Sequence, residues 1–176
     1  MRNFVSLAAA LVLGSASIVS AHAGLIEKEA KQGAATRFTL YVPHGCGSEA
    51  TLRVRVRIPA GIVAVKPMPK ANWDLEIKSG TYSDPQTLSG STLNEGVVEL
   101  IWSGNLPDAH YDEFVFRGTV SENAEVGAPI YIPAVQECAN GVERWIEIPK
   151  EGQTSHELDN PAPNIIVVPA DAHHHH

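Results

Sequence analysis

One histidine near the start of the chain could do chemistry that an internal histidine cannot. His22 stands in "SAHAGL", beside two positions where a signal peptidase could cut. If His22 becomes the first residue, its α-amine and ring Nδ1 can hold one metal ion in a six-membered chelate. The α-amine has a pKa of about 7.7 to 8.0, so a metal can displace its proton at neutral pH. Two nitrogen donors in one plane suit Cu(II), which prefers square-planar or tetragonal sites.

This chemistry depends on how the chain is processed. Residues 1–21 have the pattern of a secretory signal peptide, with Arg2 followed by an apolar stretch. That stretch is too short and interrupted for a transmembrane helix, which needs about 20 apolar residues. Cleavage after Ala21 would expose His22, whereas cleavage after Ala23 would remove it. The small-residue rule slightly favours the second cut, and the copper hypothesis requires the first. No later apolar run is long enough to anchor the mature chain.

The charge of the mature chain disfavours nucleic acid as a partner. The sequence has 176 residues with 13 Lys+Arg and 20 Asp+Glu, and residues 1–21 contain one base and no acid. The mature chain therefore carries 12 basic and 20 acidic residues, a net charge of −8 with histidine neutral. Nucleic acids and anionic membranes both attract basic surfaces. The length suits one domain, which we place at residues 22–168.

Alternation of apolar and polar residues predicts a chain made mostly of β-strands. In "TLRVRVRIP", Leu52, Val54, Val56 and Ile58 face one side and three arginines face the other. We interpret the arginine side as a solvated strand face, with a basic docking patch as the alternative. Eight further stretches show strand patterns: "TRFTLYVP", "GIVAV", "WDLEI", "GVVELIW", "EFVFRGTV", "PIYIP", "VERWIEI" and "NIIVV". Only "GLIEKEAKQG" has helical character. Nine strands separated by Pro and Gly predict an all-β fold, an antiparallel β-sandwich.

Sulfur-containing residues are scarce. Export to an oxidising compartment favours a disulfide between Cys46 and Cys138, and a pair of thiolate metal ligands is the alternative. A loop of about 90 residues closed by this bond would stabilise the fold by about 4 to 5 kcal/mol. Met68 is the only methionine after processing. Because Cu(I) sites recruit several soft donors, the composition favours Cu(II) bound by nitrogen and oxygen.

Motifs of common enzymes are absent from the sequence, including G-x-S-x-G, H-E-x-x-H, the P-loop and G-x-G-x-x-G. His44, in "PHGC", is interpreted as a turn residue, with a second metal site as the alternative. His110 and His156 lie in predicted loops and are expected to be exposed. Residues 169–176, which end in four histidines, are interpreted as a flexible tail or a purification tag outside the fold.

Five segments carry a family resemblance over residues 22–168. They are "SAHAGLIEKEA", "YVPHGCGSEAT", "VRIPAGIVAVKPMPKANWDLEI", "IWSGNLPDAHYDEFVFRGTV" and "IPAVQECANGVERWIEIP". Together, and in this order, they resemble the YcnI-like copper-binding proteins, the DUF1775 family, in its Gram-negative form. The resemblance implies a periplasmic β-sandwich of immunoglobulin-like or cupredoxin-like type. It also implies Cu(II) binding through a single-histidine brace and an association with copper-handling genes.

The resemblance also implies roles for single residues. His22 would provide the amine and imidazole, Glu113 in "YDEF" a carboxylate oxygen, and Trp145 in "GVERW" an indole that covers the metal. Cys46 and Cys138 match cysteines of the Gram-negative branch. Without the resemblance, Glu113 would be interpreted as an outward strand residue and Trp145 as core packing. Gram-positive members commonly carry a C-terminal membrane anchor, whereas this sequence ends in histidines.

The leading functional hypothesis is a binding protein, a periplasmic copper chaperone or copper-homeostasis factor. Its partners would be the copper ion and other periplasmic copper-handling proteins. One alternative is a copper-dependent oxidative enzyme of the histidine-brace type, which would use a second histidine and an open substrate face. Another alternative is an interaction module without metal.

Because soft donors are few, reduction to Cu(I) should weaken binding and release the ion.

Overall fold

A computed structural model describes residues 22–171 of the chain. In this range twelve β-strands form three sheets. The predicted signal peptide, residues 1–21, lies outside the described residues, as do residues 172–176 of the predicted tail. In the described part of the chain, no helix is both long enough and apolar enough to cross a membrane.

The first sheet has four antiparallel strands. In spatial order they are β1 (Gly24–Leu25), β3 (Ala35–Val42), β8 (Asp112–Val120) and β5 (Ile62–Pro67). Leu40 of β3 is the register partner of Phe114 of β8, and both side chains are fully buried. Their side of the sheet therefore faces the core, and the alternate residues face outward.

The second sheet has five antiparallel strands. In spatial order they are β11 (Val142–Trp145), β10 (Ala134–Glu137), β4 (Thr51–Arg57), β7 (Ser91–Leu106) and β6 (Asp74–Leu88). Strands β6 and β7 form a long hairpin that turns at Ser89 and Gly90. Both turn residues have positive φ, 50° and 71°, as two-residue hairpin turns of type I′ require.

The third sheet is smaller and has three strands. In spatial order they are β2 (Glu29–Lys31), β12 (Asn164–Val168) and β9 (Pro129–Tyr131). Strand β12 runs parallel to β2 and antiparallel to β9. Ile165 and Val167 of β12 are buried and belong to the main core, so this sheet is part of the same folded unit.

The core lies between the two larger sheets. Trp102 of the second sheet contacts Phe114 of the first, with ring centroids 5.6 Å apart. Phe38 stacks on Phe116 at 5.0 Å within the first sheet. All four rings are fully buried. The predicted antiparallel β-sandwich is therefore confirmed, and each of the nine predicted stretches contains a strand.

Two local predictions are wrong. The segment "GLIEKEAKQG" is not helical, because it forms β1 and β2, and tertiary pairing of these strands overrides its weak helical preference. Leu52 does not face the core, because a β-bulge shifts the register between Thr51 and Arg53. Thr51 is fully buried as a result, and Leu52 is 41% exposed.

Candidate metal centre

His22 lies immediately before the first strand and is half-buried. The next residue, Ala23, is 4% exposed and belongs to the core. Leu25 then pairs with Leu40 in the first sheet. The backbone next to His22 is therefore fixed by core packing and strand pairing, although the strand has only two residues.

Contacts with Trp145 and Asp159 help to orient the imidazole of His22. Its ring centroid lies 5.5 Å from that of Trp145 in an edge-on arrangement, with 72° between the planes. Its Nε2 lies 3.0 Å from the backbone carbonyl oxygen of Asp159. A carbonyl oxygen only accepts hydrogen bonds, so Nε2 carries the hydrogen and, in the neutral ring, Nδ1 carries the lone pair. Nδ1 is also the ring nitrogen that can chelate a metal together with the α-amine of the same residue.

Trp145 packs in the core and also contacts His22 at the candidate site. It ends β11, pairs with Ala134 and is 4% exposed. Its indole Nε1 donates to the side-chain oxygen of Gln136 at 3.4 Å. The Gln136 amide in turn donates to the carbonyl oxygen of His44 at 2.6 Å and to Thr51 Oγ1 at 2.7 Å. The core-packing interpretation of Trp145 is therefore correct, and its ring also contacts His22.

His44 also contacts this tryptophan. Its ring centroid is 6.4 Å from that of Trp145, and its Nδ1 lies 2.6 Å from the Gly45 carbonyl oxygen. The turn interpretation fits this local contact, and a second metal site at His44 stays a prediction. The neighbouring Cys46 is bonded to Cys138 with an S–S distance of 2.05 Å. The predicted disulfide is thus confirmed, and the alternative of two thiolate ligands is wrong.

Glu113 lies on β8, which is separated from β1 by one strand of the first sheet. It pairs with Tyr41 of β3, which pairs with Gly24 of β1. Because the neighbouring Phe114 faces the core, Glu113 is on the outer face, as alternation predicted. Strand β3 separates β8 from β1, which places roughly 10 Å between their backbones. The structure thus joins His22 directly to Trp145, and a ligand role for Glu113 stays a prediction.

A cleft of about 550 Å³ opens beside His22. It is also lined by Tyr41, Lys28 and His156. The Tyr41 ring lies across Gly24, where an added Cβ would come within 2.5 Å of its hydroxyl oxygen. Glycine at this position therefore lets an aromatic ring form one wall of the cleft.

Sequence reasoning missed most of the residues that surround His22. No sequence motif marks the residues that the fold brings next to His22 or Trp145. They are Gln136, Asp159 and Tyr41. His156 was expected to be exposed, which is confirmed, but its place in the His22 cleft had no sequence signal. Between residues 22 and 171, no three His, Cys, Asp or Glu residues converge into a metal cluster. A brace needs fewer side chains, because a backbone amine supplies one of its donors.

Comparisons with known proteins place the chain in a sequence family and a fold. A family model described as a domain of unknown function, DUF1775, matches residues 22–167. An uncharacterized protein from Nocardia farcinica, whose crystal structure reveals an immunoglobulin-like fold, superposes with a TM-score of 0.63 at 20% identity. The match covers 84% of this chain and 98% of that one, and it supports the fold alone.

A more distant structural match carries no argument about function. It is the sixth cohesin of scaffoldin B from Acetivibrio cellulolyticus, solved with a Cel5 dockerin mutant, at a TM-score of 0.40 and 7% identity. It covers 83% of this chain and 97% of the cohesin. No curated protein is significantly similar to the chain in sequence.

Proposed function

The chain belongs to the DUF1775 family, and on that premise we propose that it is an exported periplasmic protein that binds Cu(II) through its N-terminus. In this proposal His22 is the first mature residue, and its α-amine and Nδ1 hold the ion. Copper is cargo, and the protein acts as a copper chaperone or homeostasis factor rather than as an enzyme.

The hydrogen bond between His22 and Asp159 is the observation that carries this proposal. Histidines that bind metals usually donate their second ring N–H to a carbonyl or carboxylate, which fixes the tautomer and the ring direction. Here Nε2 makes that bond at 3.0 Å, with a backbone oxygen. The remaining nitrogen, Nδ1, is the one a brace requires. The bond from Nε2 to Asp159 therefore supports the proposal that Nδ1 is the ring nitrogen that binds the metal.

The surroundings of His22 also favour the cleavage that the brace requires. Ala23 is 4% exposed and packs in the core, so a cut after Ala23 would remove a buried residue together with His22. The family match begins at residue 22. Both observations support cleavage after Ala21.

The donor set suits the cupric ion. An amine and an imidazole supply two nitrogens, and a carboxylate oxygen from Glu113, as the family resemblance implies, would supply a third donor. The indole of Trp145 lies beside His22, with ring centroids 5.5 Å apart, and would limit the access of water to that side. Soft donors are few among the described residues, because both cysteines form the disulfide and Met68 lies in a different part of the sheet, beside Val115.

Processing and binding can be tested on one exported protein. We expect N-terminal sequencing and intact mass to give His22 as residue one, and calorimetry to give one Cu(II) per chain. The four terminal histidines should be replaced by alanine in every sample, because they could bind copper independently. His22→Ala with the same cut should weaken Cu(II) binding by about 100-fold or more, since it removes a direct ligand.

A matched control separates the chelate from the imidazole alone. A chain that begins at Ile18 keeps the His22 ring and moves the α-amine four residues away. It should lose affinity much as His22→Ala does. A mature protein that begins at Gly24 and binds Cu(II) equally tightly would refute the proposal.

The oxidation state of copper gives a second test. Because the proposed donors are nitrogen and oxygen, Cu(I) should bind more weakly than Cu(II). Competition with chelators specific for each state, with and without ascorbate, measures the difference. Equal or tighter binding of Cu(I) would contradict release on reduction, although it would leave Cu(II) binding itself intact.

A further inference from the structure

We infer that the outer face of the first sheet is a docking surface for an acidic segment of a partner protein. The surface is centred on three basic residues, Arg37, Arg117 and Lys66, which we call the basic row. The inference goes beyond the proposed function and does not depend on copper, because it rests on charge and strand register. The segment that fits would present two or more carboxylates within about 10 Å, which is two strand spacings.

The basic row crosses three neighbouring strands. Arg37 of β3 is the register partner of Arg117 of β8, and Arg117 is also the partner of Lys66 of β5. Register partners on adjacent strands point to the same side of a sheet. That side is the outer one, because the neighbouring Phe38 and Phe116 are fully buried in the core. All three basic residues are exposed, and their strands lie about 5 Å apart.

Three like charges in one row are unfavourable unless anions offset them, since like charges directly opposite each other destabilise a sheet. Between residues 22 and 171, no ion pair includes Arg37, Arg117 or Lys66. Glu27 lies near the row, but its carboxylate accepts hydrogen bonds from the Thr39 backbone N–H and hydroxyl, at 2.6 and 2.9 Å. The described chain therefore leaves this repulsion without an offsetting ion pair.

The outer face of the second sheet shows how this chain balances a comparable row of bases. There Arg53 bonds Glu137 at 3.2 Å, and Arg55 bonds Glu99 at 2.7 Å. In the basic row the register partner of each base is another base. The sequence does not lack acids, because it has 20 Asp+Glu against 13 Lys+Arg. An unbalanced basic row in an acidic chain favours an anion supplied by another molecule.

A protein carboxylate fits the basic row better than a membrane or a nucleic acid does. The planar guanidinium of arginine matches a carboxylate with two parallel hydrogen bonds. Anionic lipid surfaces attract clusters of about four to eight Lys or Arg, and this row has three bases. The net charge of −7 also opposes attraction to an extended polyanion. A short acidic segment needs only the local field of the row.

A titration with hexaglutamate, followed by NMR chemical shifts, tests the surface on the copper-free mature protein. The four terminal histidines are again replaced by alanine. We expect the shifts to centre on β3, β8 and β5 around the basic row, and the binding to weaken from about 50 to about 300 mM salt. Hexaglutamine, the uncharged control, should not bind. Absence of hexaglutamate binding, or shifts centred elsewhere, would overturn the inference.

Two triple variants carry the same change of net charge. Arg37→Gln/Lys66→Gln/Arg117→Gln removes the basic row and should weaken hexaglutamate binding by about 10-fold or more, since it removes three ion pairs. The matched control removes three exposed bases on β4, on β11 and in the connecting segment, residues 149–163, that leads from the second sheet to β12. This control is Arg57→Gln/Arg144→Gln/Lys150→Gln. It should stay within about twofold of the parent, and an equal loss in both variants would reduce the effect to net charge and refute the inference.

Thermal unfolding tests the repulsion on which the inference rests. The basic-row variant should unfold at the same temperature as the parent or at a higher one, because it relieves like-charge contacts. A lower unfolding temperature would contradict an unbalanced row.

Two further measurements separate the alternatives. If vesicles of phosphatidylglycerol bind the parent and hexaglutamate does not, the row is a membrane contact and the inference is wrong. Cu(II) affinity of the basic-row variant should equal that of the parent. If His22→Ala binds Cu(II) as tightly as the parent while hexaglutamate still binds the row, the proposed function fails and this inference stands.

Discussion

At the scale of single residues, Gln136 holds the candidate site together. It is 1% exposed, and its amide joins the Trp145 indole, the His44 backbone and the Thr51 hydroxyl. A buried amide with three partners fixes the positions of all of them, because each would lose a hydrogen bond if it moved. The position of the Trp145 ring beside His22 is therefore set by a residue that does not touch His22 in any described contact.

Gln136→Leu should lower the free energy of unfolding by about 2 to 5 kcal/mol, because it leaves buried donors and acceptors without partners at similar side-chain volume. Urea denaturation followed by circular dichroism measures this change. Gln153→Leu, at a surface position with one hydrogen bond to Lys150, is the control and should stay within about 0.5 kcal/mol of the parent. Equal stability of the two variants would show that the buried amide has no such role.

At the scale of elements, ion pairs join neighbouring strands on the outer face of the second sheet. Arg55 of β4 bonds Glu99 of β7 at 2.7 Å and Glu137 of β10 at 3.2 Å. Arg53 also reaches Glu137 at 3.2 Å, and Lys78 of β6 reaches Glu99 at 3.0 Å. The arginine row is the solvated strand face that the alternation predicted, and its charge is balanced by glutamates on neighbouring strands. Glutamates thus neutralise Arg53 and Arg55, and a docking role for this face stays a prediction.

This pairing predicts a pH-dependent stability. Burial by itself would raise the pKa of Glu99, but hydrogen bonds and charge from Lys78 and Arg55 outweigh burial and lower that pKa below its ordinary value of 4.5. A lowered folded-state pKa contributes stability above pH 4.5, and this contribution is lost as the pH falls toward the folded value. Glu99→Gln should therefore lower stability by about 0.5 to 1 kcal/mol at pH 7, since both cations are partly solvated.

Urea denaturation from pH 7 to pH 3 measures the difference between Glu99→Gln and the parent. The difference should shrink below pH 4.5 and at high salt, which screens exposed charges. Glu95→Gln, at an exposed position on β7, is the matched control with little expected effect. A difference that does not vary with pH would contradict an electrostatic origin.

At the scale of the whole molecule, the disulfide joins the turn at His44 to the end of β10. Cys46 and Cys138 are 92 residues apart in sequence. Cys46 is held close to Gly141, where an added Cβ would lie 2.8 Å from the Cys46 Cβ. The bond thus joins two distant parts of the chain on the side of the molecule where Trp145 and His44 meet.

Cys46→Ala/Cys138→Ala should lower the free energy of unfolding by about 4 to 5 kcal/mol, because the unfolded chain regains the entropy of an open loop. Chemical denaturation under non-reducing conditions measures this loss. Ser48→Ala, an exposed position in the same turn, controls for local disturbance. A loss below about 1 kcal/mol would show that the loop is restrained by other means.

Most of the fold could be predicted from local pattern, because an alternating strand shows its buried face in the sequence. The clearest cases are β3 and β4, whose sequences alternate apolar with polar residues. Strands β1 and β2 could not be predicted, since two or three residues are too few to show a period and their partners are distant in sequence. The bulge that exposes Leu52 was likewise invisible, because it arises from pairing with β7.

For the candidate site, the sequence by itself predicted the disulfide, the family and a histidine beside a proposed cleavage site, because each prediction depends on residue type and order. Tertiary structure alone decided the neighbours of His22. It brought Asp159 to Nε2 of His22 and the Trp145 ring beside the imidazole, and it placed His156 in the same cleft. Asp159 and His22 are 137 residues apart, and only the packing of sheets and connecting segment brings such residues together.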